Sequence, residues 1–276
     1  HSVEVKEGDR IKQGQLLGKC GNSGRSPYPH LHFQFQPTPY IASPTLDYPL
    51  GHYLLKGDKY TFETFSFPQK GQVVANPVKN EQLAKVLHFI PGQRISGEIL
   101  VESIKTGTQI HQSNFNWKVN TDVFNSTYLE SEEDGSLAYL YNNGNLHYFT
   151  NFTGKKETPL YWFFLAIFKV PLGFLPNSSI RDQVPINMMF GGLLKFLQDF
   201  IAPVYLFLKV DYTLEIKKSG DILSSGDLKM ISGITKRIAG RETEKYDFTI
   251  NIKENGVFEI EILANDLKIQ MTCRNE

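Results

Sequence analysis

Short apolar–polar alternations, punctuated by turn dipeptides, constrain this chain more than any other feature. Asp134-Gly135, Asn143-Gly144, Ser219-Gly220-Asp221 and Asn255-Gly256 are hairpin turn sequences; Asn, Asp and Gly tolerate the positive φ that such turns require. Between the turns run Tyr212, Leu214 and Ile216, then Tyr246, Phe248, Ile250 and Ile252, then Phe258, Ile260 and Ile262, with polar residues at most intervening positions. Side chains of a strand alternate between faces, so this spacing buries one face of an antiparallel sheet and leaves the other wet. Residues 60–276 are expected to form a large antiparallel β-rich domain.

Two stretches depart from that period. Leu160 to Val170 is densely apolar, and Met189, Leu193, Phe196, Leu197 and Phe200 recur at helical spacing, with Lys195 and Asp199 off the stripe. Helices are predicted over 160–170 and 187–201, packed on the sheet with Trp162 and Phe196 buried, because such a sheet must cover its apolar face. Neither run reaches the roughly 18 to 20 uncharged residues of a membrane span, so no membrane-spanning segment is expected. The competing expectation puts Trp162, Phe163, Phe164 and Phe168 against a membrane surface. Interfacial helices carry a basic polar face, and this one offers only Lys169.

Nearer the start, residues 3–18 alternate around Gly8-Asp9 and Gly14-Gln15, which reads as short strands joined by tight glycine turns. Gly21-Asn22-Ser23-Gly24 reads as a further turn, with both glycines at positions where Cβ is disfavoured. The run Pro29-His30-Leu31-His32-Phe33-Gln34-Phe35 then reads as a strand. Residues i and i+2 share a strand face, so His30 and His32 present two imidazoles side by side. One ring of such a pair can bind a metal while its neighbour assists the chemistry beside it. A His-x-His pair is also, by itself, an ordinary polar pair.

The ordered series Val5 to Gly18, then Gly21-Asn22-Ser23-Gly24, then Pro29-His30-Leu31-His32-Phe33, resembles the C-terminal half of the LytM/lysostaphin-type zinc endopeptidases, which cut peptidoglycan cross-links. The resemblance covers roughly the first 36 residues. It implies that His32 is a zinc ligand and that His30 is catalytic, hydrogen-bonding the attacking water or stabilising the tetrahedral intermediate. It also implies a His-x-x-x-Asp pair and a further catalytic histidine upstream of the glycine series. His1 is the one candidate for that histidine, and it sits awkwardly relative to Gly8. His52, His88, His111 and His147 all lack Asp four residues on. With one ligand present, zinc is expected to bind in a full-length parent and weakly or not at all in this chain, which is expected to be inactive alone. The implied partners are peptidoglycan peptides and the implied location is the bacterial cell envelope. The Gly-Asp-x-Ile-x-x-Gly-Gln pattern also occurs in biotinyl and lipoyl carrier hairpins, but no Met-Lys or Asp-Lys-Ala tip follows here.

Pro37, Pro39, Pro44 and Pro49 mark residues 37–59 as an extended connector, since proline removes a backbone donor and restricts the residue before it. The expected organisation is therefore mainly β: 1–36, the C-terminal part of a lysostaphin-type sheet domain; 37–59, the connector; 60–276, an accessory domain with two packed helices. Thr45 to Tyr53 faintly resembles bacterial polypeptides in which a urea transporter precedes such a peptidase. A non-catalytic envelope-binding or tethering module, even the soluble tail of such a fusion, is the alternative function. The 29 basic and 29 acidic residues cancel and form no basic stripe, so no nucleic acid is expected. Cys20 and Cys273 either pair in an oxidising compartment or remain buried free thiols.

Overall fold

A computed structural model describes residues 2–12, 14–22, 27–58, 60–173, 179–218 and 228–275, with the side chain of Lys218 left out. The chain divides between Pro49 and Leu50 into two compact units. That division falls inside the proline-rich stretch, whose later residues 50–56 are already strand.

The second unit runs β1 (Leu50–Lys56), β2 (Tyr60–Ser66), β3 (Val74–Ala75), α1 (Glu81–Val86), β4 (Arg94–Ser103), β5 (Gln109–Thr121), β6 (Thr127–Ser131), β7 (Leu137–Asn142) and β8 (Leu146–Thr153). It continues with α2 (Pro159–Ala166), β9 (Lys169–Pro171), β10 (Ser179–Gln183), α3 (Ile186–Met189), α4 (Gly192–Ile201), β11 (Leu208–Lys218), β12 (Leu228–Ile238), β13 (Arg241–Ile252), β14 (Phe258–Ala264) and β15 (Leu267–Asn275). All the strands belong to one sheet, in the order β3-β1-β2-β10-β11-β12-β13-β14-β15-β4-β5-β6-β7-β8-β9. Among the described residues every strand pairing is antiparallel except β2 with β10. The mainly β expectation holds.

Alternation fixes the register. Met230 on β12 stands opposite Ile250 on β13, which stands opposite Ile260 on β14, which stands opposite Met271 on β15. All four are buried. A slip of one residue would turn this whole row out to solvent, so burial specifies the pairing. At the Asn143-Gly144 turn the Asn143 side chain accepts from the backbone N–H of Asn145 and Leu146, and Gly144 takes φ +82°. The Ser219-Gly220-Asp221 turn lies outside the described residues.

The sheet has something to wrap around. Residues 160–168 are buried on every side, the condition of a core helix apolar all round rather than amphipathic. Trp162 meets Tyr246 on β13, Phe163 meets Trp117 on β5 and Phe258 on β14, Phe164 meets Phe149 on β8, and Phe168 meets Tyr212 on β11. Strands from both halves of the sheet therefore face one helix. The sheet's ends also meet: Lys79, past β3, bridges to Gly173, past β9, where a Cβ on Gly173 would stand 2.8 Å from the Val78 carbonyl. The buried Lys169 of β9 donates to Thr64 on β2 at 3.0 Å and is ion-paired with Asp182 on β10.

The helix predicted over 160–170 ends at Ala166, and Lys169–Pro171 instead pairs with β8. The freed Ala166 carbonyl accepts from Ser232 at 2.6 Å and Tyr212 at 3.5 Å, which meets the need of a buried helix end for partners. The helix predicted over 187–201 is broken in two at Gly191-Gly192, where Gly192 takes φ +61°. Trp162 is buried as expected, but Phe196 is 66% exposed. The reason lies two residues on. Gln198 is the buried residue of α4, accepting from the backbone N–H of Phe207 and Leu208 and donating to the Tyr205 carbonyl. The helix is held by its polar side, so its apolar stripe faces out.

Candidate functional site

The first unit is built from turns. Gly8 takes φ +87° in a turn closed by the Asp9 N–H donating to the Lys6 carbonyl, while the Asp9 carboxylate accepts from the Lys6 N–H at 2.8 Å. The Gln15 N–H donates to the Lys12 carbonyl, and the Gln15 side chain accepts from the Lys12 N–H in the same way, with Gly14 at φ +80°. Positive φ at the third residue is what these turns demand of glycine. An isolated bridge, Val3 with Gly18, joins the segment's ends.

The strand expected through 29–36 reduces to one bridge, Phe35 with Leu46, and no helix crosses the described part of 21–35. Gly21 has open space where a Cβ would stand and no positive φ, contrary to the expected constraint, while Gly24 lies outside the described residues. The side chains nevertheless converge. The rings of His30 and His32 stand 4.6 Å apart, and their Nε2 atoms are 2.7 Å apart. The Nδ1 atom of His30 lies 3.0 Å from the Tyr28 carbonyl. A carbonyl only accepts, so this contact puts the proton on His30 Nδ1 and makes His30 Nε2 the acceptor for an N–H from His32. Both rings are exposed, as are Tyr28 and Phe33.

Two Nε2 atoms ligating one tetrahedral zinc, each at about 2.0–2.1 Å, would stand roughly 3.3 Å apart. The observed separation is that of a shared proton. Among the described residues no group of three His, Cys, Asp or Glu could hold a metal ion. The zinc implied for this segment therefore does not fit the described residues by themselves: they offer His32 with His30 beside it. His1 lies outside the described residues.

The other histidines do not join them. His52 stacks on Phe62 and His111 lies 3.0 Å from the Ser113 hydroxyl. His147 is fully buried on β8 between Phe89 and Phe149, with both ring nitrogens unpartnered, and burial pushes its pKa down to about 3. Cys20 and Cys273 are free thiols, the first exposed and the second buried. Burial pushes the Cys273 thiol far above its ordinary range, so it is inert at neutral pH. In the second unit a cleft of about 680 Å³ is lined by Lys79, Lys85, His88, Asn142 and Asn275 among others. The outward stripe of α4 escaped the reading of the sequence, because apolar residues at helical spacing look alike whether they face a core or solvent.

The sequence profile of Peptidase family M23 matches residues 1–42. Peptidoglycan DD-endopeptidase ShyC of Vibrio cholerae serotype O1 is 41% identical over 59 residues, which are 21% of this chain and 14% of that protein. The similarity of the N-terminal segment is thus to a LytM-type peptidase, and it spans a small part of the relative's length.

Proposed function

We propose that residues 1–42 are the His-x-His portion of a zinc-dependent peptidoglycan endopeptidase domain, acting at the cell envelope on cross-link peptides. The observation that carries the reading is the coincidence of the family match with a ring-to-ring His30–His32 pair. In this reading His32 is a metal ligand and His30 is the catalytic histidine at its side. The described residues supply too few ligands, so the chain alone is inactive and a parent protein completes the site. Residues 50–276 then form an accessory domain that follows the peptidase element in the sequence.

Zinc titration tests the assignment. The chain should bind zinc weakly, and His32→Ala should abolish what binding there is while His30→Ala retains it. Tight stoichiometric zinc in this chain would overturn the incomplete-site reading. In a parent protein with the full ligand set, His30→Ala should keep the metal and lower turnover by roughly a hundredfold or more, as loss of a positioned acid–base group does.

The lack of a three-ligand group among the described residues also favours a second reading, a non-catalytic envelope-binding or tethering module. Retention of the chain on purified peptidoglycan, together with a parent protein that neither binds zinc nor releases peptides, would select it.

A further inference from the structure

We propose that two adjoining cavities beside α1 form one binding site, which takes a saccharide of disaccharide size bearing a single carboxylate. This goes beyond the peptidase reading and concerns the other unit. The cleft of about 680 Å³ and a neighbour of about 610 Å³ share His88, Ile90 and Asn142 as a common wall, and each has the size of a small-molecule site. That wall is fixed by the fold itself. Asn80 caps α1 by accepting from the Leu83 N–H at 2.9 Å. At the other end of the helix the Val86 and Leu87 carbonyls accept from the side chains of Asn275, at 3.3 Å, and Asn142, at 3.0 Å. A site already ordered does not have to be ordered by its ligand, which favours binding.

The two cavities differ in chemistry, and the difference selects the ligand. The smaller is lined by no Lys, Arg, Asp or Glu. It presents the hydroxyls of Thr121, Ser126, Thr127 and Thr150, and among the described residues none of these has a hydrogen-bond partner in the protein. The turn that carries Ser126 is held by the Asp122 carboxylate, which accepts from the N–H groups of Phe124 and Ser126 at 2.9 and 2.8 Å. Tyr141 and Ile90 of the same lining are 49% and 54% exposed and offer apolar surface. Hydroxyls at the edge and C–H groups on the faces describe a sugar ring, which matches such a mixture of polar and apolar groups. The larger cavity adds charge. Lys79 is paired there with Glu81 at 3.6 Å, while Lys85 has no ion partner among the described residues. One uncompensated lysine, with the His88 imidazole in the same lining, matches one carboxylate. A nucleic acid or a polyphosphate would call for a cluster of cations.

Titration of the full chain with N-acetylglucosaminyl-N-acetylmuramic acid, and with neutral diacetylchitobiose of like size, tests the site; the envelope reading enters only in this choice of probe. The acidic disaccharide should bind about tenfold more tightly than the neutral one, the worth of one charge-assisted hydrogen bond. Lys85→Ala should abolish that preference, leaving the affinity for diacetylchitobiose and the melting temperature unchanged. Tyr141→Thr keeps a strand-forming residue on β7 and should weaken both sugars about tenfold. A chain that binds neither at about 10 mM overturns the proposal. So does equal affinity for the two, a preference that survives Lys85→Ala, binding indifferent to Tyr141→Thr, or AMP bound more tightly than the acidic sugar. Neither probe carries a peptide or calls on zinc, so failure here leaves the endopeptidase assignment to the zinc titration.

Discussion

His147 shows what a single buried side chain does to the whole chain's response to pH. Its ring sits on β8 against Phe89 and Phe149, neither nitrogen has a partner, and burial lowers its pKa from 6.5 to about 3. Between those values the unfolded chain binds a proton that the folded chain refuses, so folding stability falls as pH drops through that window and is level above it. The slope is about 1.4 kcal/mol per pH unit, roughly 4 to 5 kcal/mol across the window. Urea unfolding of His147→Leu, followed from pH 7 to 4, should show this part of the acid sensitivity removed. At pH 7 the variant should be as stable as the parent or more so, because it deletes polar atoms that the fold leaves unsatisfied. A variant with the parent's acid slope would mean that another group titrates. The sequence marked His147 only as lacking ligand spacing. Its ring is covered in part by Phe89, from the segment that follows α1, a contact that no local pattern reveals.

At the scale of elements, α2 and α4 read alike in sequence and came to opposite environments. Both are apolar runs interrupted by few charges, and both were expected to cover the sheet. In α2 every direction is apolar, so no orientation leaves it a wet side, and strands close around it. In α4 one polar residue decides the matter: Gln198 satisfies the N–H groups of Phe207 and Leu208 as the chain turns into β11, and the apolar face is left outward. The β-strands were legible because period two is a local signal, and their partners were legible where hairpin turns joined neighbours. The link from β15 back to β4 was not, since it joins residues far apart in sequence. Substitution separates the two helices. Trp162→Ser should cost roughly 3 kcal/mol or more, by cavity and by an unpaired hydroxyl. Phe196→Ser should change the monomer's stability by no more than about 0.5 kcal/mol, as exposed positions do. Chemical denaturation of both variants at sub-micromolar concentration gives the comparison, and equal losses would contradict the outward placement of Phe196.

For the whole molecule, the two units differ in how each is held. None of the described residues of 1–49 is buried, and Leu31, Phe33 and Ile41 are 82%, 75% and 99% exposed. What orders that unit is a set of turns and two isolated bridges, local contacts that add little against the entropy of fixing a chain. The motif there was legible because glycine turns and a His-x-His pair are local spacings. The ligands that would complete a zinc site are not among those spacings, and the described structure brings none to the pair. Residues 50–276, by contrast, close a sheet over a buried helix and carry a contiguous apolar core. Burial of that kind is the dominant favourable term in folding, so the cooperative transition belongs to the second unit. Residues 50–276 expressed alone should therefore melt within a few degrees of the full chain, with the same denaturant dependence. Residues 1–49 alone should show no cooperative melt and sharp proton spectra typical of unfolded peptides. Limited proteolysis gives the same contrast in one experiment: cleavage should accumulate within 1–49 while a fragment beginning near Leu50 persists. A melting temperature that collapses when 1–49 is removed would show that the first unit contributes burial the second cannot do without.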